Sequence, residues 1–555
     1  MSLNPRQQQA VDHPDGPLLL LAAAGSGKTR VLVHRIARLL ERDRVRPFEI
    51  LAVTFTNKAA RELVDRCASL VGPQASDLWA GTFHGIGARI LRRHAEILDF
   101  PQAFSIYDSD DQLRLIKELV ADANLDETLF APDSVRAYIE AAKNDGYGPD
   151  ASELRRYDAF TEKCAEIYER YQKRLRQLGA MDFGDLILGV LELFKRDQVL
   201  LARYRDRFRH VLVDEYQDTN RAQYLMVKTL AAGHGNICVV GDDDQSIYGW
   251  RGADLRNILE FERDFPGAEI IHLDQNYRST SNIIDAAQAV IANNRERMGK
   301  KMWTDNDAGD AIRVYTASDE RDEARYIACR IRTLGKGRGA AAVFYRTNAQ
   351  SRAIEEELIR ASIPYAIVGT TRFYERREVK DLLAYLRFIA NPDDDLSLAR
   401  IINVPARGIG RVSFEALRAG ADREGVSLWR ALGSEEVTAT LKPAARRKFA
   451  AFHECAVRWV DDSGTRHVTP LLEQVIADTG YLDFLAGLAG EDPRSRIENV
   501  QELLTVSQNF DAEPPAANAD EEDAELEPLA GFLEQIALAS AVDGYDERES
   551  SVTLM

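Results

Sequence analysis

The sequence predicts an α/β protein of two parallel-sheet lobes, each interrupted by a mostly helical insertion. Three observations carry this expectation. Short apolar runs alternate with helix-periodic stretches over residues 1–101 and 183–280. Charged amphipathic helical pattern replaces that alternation over 102–182, and the alternating plan restarts near Ala311 before a second long helical region.

Taken in order, Leu18 to Ala22 is an apolar run suited to a strand buried on both faces. Gly25-Ser26-Gly27 breaks it, and helical periodicity follows from Lys28 through Val31, Ile36, Leu39 and Leu40. Ile50–Thr54, His210–Val213, Asn236–Val240 and Glu269–Leu273 read as further strands of the same sheet. Helices such as Asp111–Asp122 and Phe160–Leu178 fill 102–182, where strand-like runs are lacking. The sheet needs both its early and late strands, so this region is an insertion rather than a tandem domain.

The second unit reads as strand Ile312–Thr316, helix Glu320–Leu334, strand Ala341–Tyr345, helix Ala349–Ala361 and strand Pro364–Val368. The expected division is a first lobe over 1–101 and 183–280 with its insertion at 102–182. A second lobe occupies 281–376 and resumes near 551–555, with its insertion at 377–550. The acidic, Pro/Ala-rich stretch Asp511–Pro528 reads as a mobile surface loop.

Composition excludes several classes. A chain of 555 residues holds three or four domains, and 45% hydrophobic with 29% charged residues is ordinary globular usage. The net charge of −18 means that no global field draws the chain to nucleic acid, so such binding must rest on local basic and aromatic patches. The five cysteines form no C-x-x-C pair and the nine histidines show no metal-ligand spacing, which suits buried, reduced thiols in a cytoplasmic protein. The run Pro17–Ala24 is too short to span a bilayer and lacks a basic leader.

Chemistry concentrates at two places. Gly25-Ser26-Gly27-Lys28-Thr29 lies between a strand and a helix, where backbone N–H groups and the helix N-terminus cradle phosphates. Lys28 would reach the β- and γ-phosphates and Thr29 would hold Mg²⁺. Ala22 stands where the general Gly-x-x-x-x-Gly-Lys-Ser/Thr pattern has its first glycine, so the local match is imperfect. At the end of a later strand, Val211-Leu212-Val213-Asp214-Glu215 offers Asp214 to the metal and Glu215 to the attacking water. By itself such a carboxylate pair is commonplace; on a later strand of the sheet that carries the glycine loop, it becomes specific.

These residues sit in longer strings. Val53-Thr54-Phe55-Thr56-Asn57-Lys58-Ala59-Ala60, Asp214-Glu215-Tyr216-Gln217-Asp218-Thr219-Asn220 and Gly241-Asp242-Asp243-Asp244-Gln245-Ser246-Ile247-Tyr248-Gly249-Trp250-Arg251-Gly252-Ala253 resemble motifs of the UvrD/Rep/PcrA group of superfamily 1 helicases. Gln275-Asn276-Tyr277-Arg278-Ser279-Thr280 and Tyr345-Arg346-Thr347-Asn348-Ala349-Gln350-Ser351-Arg352 resemble others, and the likeness runs from Leu3 to Met555. The family tolerates alanine at the position of Ala22. It implies two RecA-like P-loop NTPase lobes, ATP and Mg²⁺ as cofactors, and 3′-to-5′ movement on single-stranded DNA in repair or replication restart. Implied partners are single strands, single-/double-strand junctions and repair proteins, with the chain acting as a monomer or weak dimer.

Carried onto matching positions, the resemblance implies a nucleotide site of Gln7, Ala24, Gly25, Ser26, Gly27, Lys28, Thr29, Arg30, Tyr277 and Arg278. Gln7 would read the adenine edge, Arg30 and Tyr277 would pack on its ring, and Gln245 would sense the γ-phosphate. Arg278 would neutralise charge developing on that phosphate, although alone it suits a surface ion pair equally. For DNA it implies Phe55, Asn57, His84, Tyr248, Trp250 and Arg251, with the Gly408 and Gly410 turn gripping duplex phosphates. A structural histidine and a plain tight turn remain the bland alternatives for His84 and the glycine turn. Tyr248 and Trp250 would share one side if locally extended. Val552–Met555 resembles the opening of a later family motif whose continuation is not among these residues, so the second lobe is expected to be incomplete and the chain truncated. Two rival readings are a nucleotide-gated DNA-binding piece without turnover and the motor part of a helicase–nuclease.

Overall fold

A computed structural model of the chain describes residues 3–295, 297–334, 341–367, 373–463, 467–488, 493–512, 527–539 and 552–555. Eleven strands are present among them. In chain order they are β1 (Leu18–Ala22), β2 (Ile50–Thr54), β3 (Trp79–Thr82), β4 (Ser105–Tyr107), β5 (Ala180–Asp182) and β6 (His210–Val213). The others are β7 (Ile237–Gly241), β8 (Glu269–Leu273), β9 (Ala342–Val343), β10 (Tyr365–Ile367) and β11 (Val552–Leu554).

The first sheet has the order β3-β2-β6-β7-β1-β8, with every neighbouring pair parallel. Alternation of side chains along each strand divides its residues between two cores. Leu18, Leu20, Ile50, Ala52, Leu212 and Val240 pack on one face with Val31, Ile36 and Leu39 of the helix Lys28–Glu41. Leu19, Leu21, Leu51, Val53, Val211, Val213 and Val239 pack on the other, with the helices Phe83–His94 and Phe183–Arg196. Burial on both faces explains why these strands read as unbroken apolar runs. It also places every loop that follows a strand's C-terminal end along one sheet edge, where open α/β sheets bind ligands.

The first insertion packs Ser109–Asp122, Pro132–Asn144 and Ala159–Gln177 around their own core. Contrary to expectation it is bounded by strands: β4 and β5 pair in parallel, Ser105 opposite Ala180. Three residues are too few to show a period of two, so the pattern was silent there.

In the second unit, β9, β10 and β11 form a parallel sheet with β11 in the middle. The expected strand Ile312–Thr316 belongs to no sheet, and Val314 is 91% exposed. Its alternating pattern is a property of the segment alone, whereas a strand also needs a neighbour to pair with. Residues 297–308 fold back onto the first sheet rather than the second. Asn276 N donates to the Trp303 carbonyl at 2.8 Å, Ser281 N to that of Asp307 at 3.2 Å, and Met298 N to the Asp243 carboxylate at 2.7 Å.

The second helical region has a large core of its own, including Leu382, Tyr385, Phe388, Phe452, Trp459 and Leu472. Its helix Pro528–Ala537 returns to the first lobe, where Glu534 pairs with the buried Arg92 at 2.5 Å. Of the stretch Asp511–Pro528, the two ends belong to helices and 513–526 lies outside the described residues, as does Val368. Cys67, Cys164 and Cys238 are buried and free; Cys329, also free, is exposed, against the expectation of buried thiols throughout. No described helix is long and apolar enough to cross a membrane.

Candidate nucleotide and DNA site

The loop after β1 enters its helix through Gly27, whose φ of +85° is open to glycine at little cost. That bend leaves the first N–H groups of the helix Lys28–Glu41 without intrahelical partners at the sheet edge, an anion-binding arrangement. Lys28 begins the helix, and its ammonium lies 2.9 Å from Glu215. The Thr29 hydroxyl is 3.5 Å from Asp214. The two strongest sequence signals thus meet at the C-terminal edge of the sheet, across the end of β7, which lies between their strands.

Asp214 is 7% exposed, and burial pushes its carboxyl up to about 6, with the charge of Glu215 adding to the effect. Glu215 has a φ of +50°, an uncommon state for a side chain larger than glycine's. A buried carboxylate with surplus negative charge beside it and a hydroxyl in reach fits a divalent cation in its donor chemistry.

Gln217, which sequence reasoning passed over, joins this corner to the loop after β7. Its Nε2 donates to Glu215 at 2.9 Å and its Oε1 accepts from Asp242 N at 2.9 Å. Gln245 donates to the Asp242 carboxylate at 2.5 Å, so its amide lies inside its own loop. Lys300 was also missed. Its ammonium, 2% exposed, contacts Asp242 and Asp243 and lies 3.5 Å from Asp244. Those three aspartates are close enough together to hold a metal, but Lys300 and, at Asp244, Arg297 at 2.8 Å already supply positive charge. Burial works against that ammonium, and the Asp242 and Asp243 carboxylates outweigh it, raising its pKa.

The loop after β8 reaches the glycine loop from the opposite side. Tyr277 N donates to the Gly25 carbonyl at 2.9 Å and Asn276 Nδ2 to that of Ala24 at 2.6 Å. Asn276 Oδ1 in turn accepts from the N–H groups of Arg278 and Ser279. A Cβ on Gly25 would stand 2.8 Å from that of Arg278, which places the arginine beside the cradle. Tyr277, 41% exposed, exchanges hydrogen bonds with Asn4 and Gln275. Gln7 is buried with its amide committed: Oε1 accepts from Asn4 N at 3.0 Å and Nε2 donates to the Ser26 carbonyl at 2.9 Å. Arg30 follows as the third residue of the helix, half-buried.

The aromatic residues gather at the same sheet edge. Phe55, after β2, stacks on Tyr248 with ring centroids 6.4 Å apart and planes 9° from parallel. The Arg251 guanidinium lies over both Tyr248 and Trp250, 4.6 Å from the latter's ring, and Trp250 is 76% exposed. The extended conformation that would put both rings on one side is not adopted; a 3-10 turn over Gly249–Arg251 sets the Tyr248 and Trp250 rings 50° apart. Asn57 donates to the Leu538 carbonyl at 2.7 Å, tying the start of its helix to the end of Pro528–Ala537. His84 packs edge-on against Phe183, and burial pulls its pKa down to about 4 with Asp182 only partly opposing. It is a neutral, packed imidazole here.

Gly408 and Gly410 lie far from this edge in sequence, at the head of the helix Arg411–Glu424. The Gly408 carbonyl accepts from Lys448 at 2.6 Å, and Arg407 points inward to Ile401 O and the Tyr385 hydroxyl. That arginine stabilises the insertion's core rather than facing outward.

Comparison with known proteins bears on the whole chain. Residues 3–266 match the UvrD/REP helicase N-terminal domain, and 271–555 match the UvrD-like helicase C-terminal domain. The chain belongs to the UvrD/REP helicase family. It is therefore a helicase, an enzyme with the two-lobed α/β fold of that group. An ATP-dependent DNA helicase PcrA of Leuconostoc citreum is 45% identical over all of this chain and 74% of its own length. The PcrA helicase of Bacillus subtilis is 44% identical over the whole chain and 75% of its own. DNA helicase II of Escherichia coli is 44% identical over the whole chain and 76% of its own.

Proposed function

We propose that this helicase is an ATP-driven motor that moves 3′ to 5′ along single-stranded DNA and opens single-/double-strand junctions during repair or replication restart. The observation that carries the reading is the Gln217 amide, which bonds Glu215 on one side and the Asp242 backbone on the other. Past Asp242 the same loop runs on through Gln245 to Tyr248, Trp250 and Arg251. A change of charge at the carboxylates therefore has a short covalent and hydrogen-bonded route to the aromatic surface.

In this reading the glycine loop and Lys28 hold the phosphates of ATP, while Gln7, Arg30 and Tyr277 take the adenine. Thr29 and Asp214 would hold Mg²⁺, which when bound neutralises phosphate charge. Glu215 accepts the proton of the attacking water, Arg278 stabilises charge on the γ-phosphate, and Gln245 turns from Asp242 toward it. Phe55, Tyr248 and Trp250 stack on bases, which tolerates any sequence, and Arg251 adds a backbone contact. Asn57 and His84 line the same edge, and the Gly408–Gly410 turn meets duplex phosphates. The domain partition is that of the four segments expected from sequence, except that residues 297–308 join the first lobe, with the protein acting in the cytoplasm as a monomer or weak dimer.

ATP hydrolysis with and without single-stranded DNA, beside Lys28→Ala, tests the motor. Displacement from duplexes tailed at the 3′ or the 5′ end tests direction; unwinding of the 5′-tailed duplex alone would reverse the assignment.

A further inference from the structure

Asn144 ends the helix Pro132–Asn144 of the first insertion, in neither the nucleotide nor the DNA motifs, yet it touches both. Its Oδ1 accepts from Asn220 Nδ2 at 2.8 Å, and its Nδ2 donates to the Arg251 carbonyl at 3.3 Å. Asn220 closes the strand-end segment that begins with Asp214 and Glu215, and it caps the helix Arg221–Ala231. Arg251 belongs to the exposed aromatic turn.

The fit is close. Gly252 has a φ of +88°, and a Cβ there would lie 2.8 Å from Asn144 Nδ2. Only a residue without a side chain lets the turn approach the asparagine in this way. Asn144 is also held from behind. The neighbouring Lys143, 2% exposed, is fixed between Asp182 at 2.7 Å and Asp185 at 2.8 Å, and Tyr171 donates to the same Asp182 carboxylate at 2.9 Å. Lys143 thereby anchors the helix end to the start of Phe183–Arg196 in the first lobe. An amide set on a rigid post, with one end on each of two segments, would transmit a displacement of either better than two loops in loose contact.

We propose that Asn144 is a positioning residue that couples the ATP corner to the single-stranded-DNA turn, so that the helical insertion takes part in the motor's internal coupling. The inference rests on the motor reading above. Two variants separate the two arms. Asn144→Ala removes both hydrogen bonds. Asn144→Asp keeps an acceptor for Asn220 but has no donor for the Arg251 carbonyl.

The experiment measures affinity of the full chain for a fluorescent non-hydrolysable ATP analogue with Mg²⁺, without and with saturating oligothymidylate, and the converse titration. Linkage requires the two ratios to agree, and a coupling of about tenfold is expected for the unaltered chain. Both variants should bring the ratio to within about twofold of unity while each ligand alone binds within about twofold of its original affinity. Coupling retained in either variant overturns the proposal. So does an equal loss in the affinity of either ligand alone, which would mark a merely structural role. Absence of coupling in the unaltered chain overturns the motor reading, and this inference with it.

Discussion

The Lys28 ammonium lies 2.9 Å from the Glu215 carboxylate, so the cation proposed to hold phosphates is paired with the group proposed to accept the water's proton. Entry of a γ-phosphate would draw Lys28 away and release Glu215. Glu215→Gln should therefore keep nucleotide binding yet lower DNA-stimulated turnover by about 10²–10⁴-fold, the usual worth of a general base. Lys28→Ala should weaken nucleotide binding itself. Equilibrium binding and steady-state hydrolysis on the two variants check both outcomes; equal loss of binding in both would remove Glu215 from its role.

Asp214 makes the ligand-free fold sensitive to pH. Its carboxyl is raised to about 6 by burial and by Glu215, so between the ordinary carboxylate value and 6 the folded chain binds more protons than the unfolded one. This contribution to stability is fully present below the unfolded pKa and is lost as pH rises through 6. Asp214→Asn should therefore raise the thermal midpoint at pH 7.5, by about 1–2 kcal/mol of stability, with about a third of that gain at pH 4.5. The same variant should lose Mg²⁺-dependent hydrolysis. Thermal melts at the two pH values decide, and equal effects at both would refute the linkage.

Much of this corner is legible in the sequence because each part is local. The run Leu18–Ala22, the break at Gly25–Gly27 and the pair Asp214-Glu215 announce themselves within a few residues. What escaped was long-range or too short to show a period. Gln217 and Lys300 act through partners on other loops, and the strands Ser105–Tyr107 and Ala180–Asp182 pair across the whole first insertion. Ile312–Thr316 failed in the opposite way, having a strand's alternation but no neighbour to pair with. The turn at Gly408 and Gly410 was legible only through its resemblance, and nothing local announces that the neighbouring Arg407 donates to the Ile401 carbonyl and the Tyr385 hydroxyl within the insertion.

Trp250 presents a ring that is 76% exposed, an arrangement with little to offer the fold. Trp250→Ala should leave the thermal midpoint almost unmoved while weakening single-stranded DNA binding by about 1–3 kcal/mol, the value of one base stacked on an aromatic ring. Phe55→Ala differs, since Phe55 is half-buried against the first core and stacks on Tyr248, so stability and binding should fall together. Fluorescence anisotropy with a labelled oligothymidylate, paired with melting curves, separates the two cases. A Trp250 variant that binds normally would take the exposed ring out of the DNA surface.

Lys300 contacts Asp242 and Asp243, and Arg297 pairs with Asp244 at 2.8 Å, so the two cations hold three consecutive aspartates that lie close enough together to take a metal ion. Because its folded pKa is raised, this stabilisation is complete at neutral pH and is lost only well above it. Lys300→Met keeps the apolar stem but takes the ammonium from the buried Asp242 and Asp243 carboxylates, leaving Arg297 at Asp244 alone, which should cost about 3–5 kcal/mol. Adding Asp243→Asn should restore part of that loss, because one surplus charge is gone. Added Ca²⁺ should raise the melting temperature of Lys300→Met but not of the unaltered chain, as the cation would occupy the place the ammonium left. Denaturant titrations of the single and double variants, with and without Ca²⁺, measure these terms directly. If the double variant is no more stable than Lys300→Met, the lysine acts through packing rather than charge. If Ca²⁺ stabilises the unaltered chain equally, the aspartates accept metal despite Lys300.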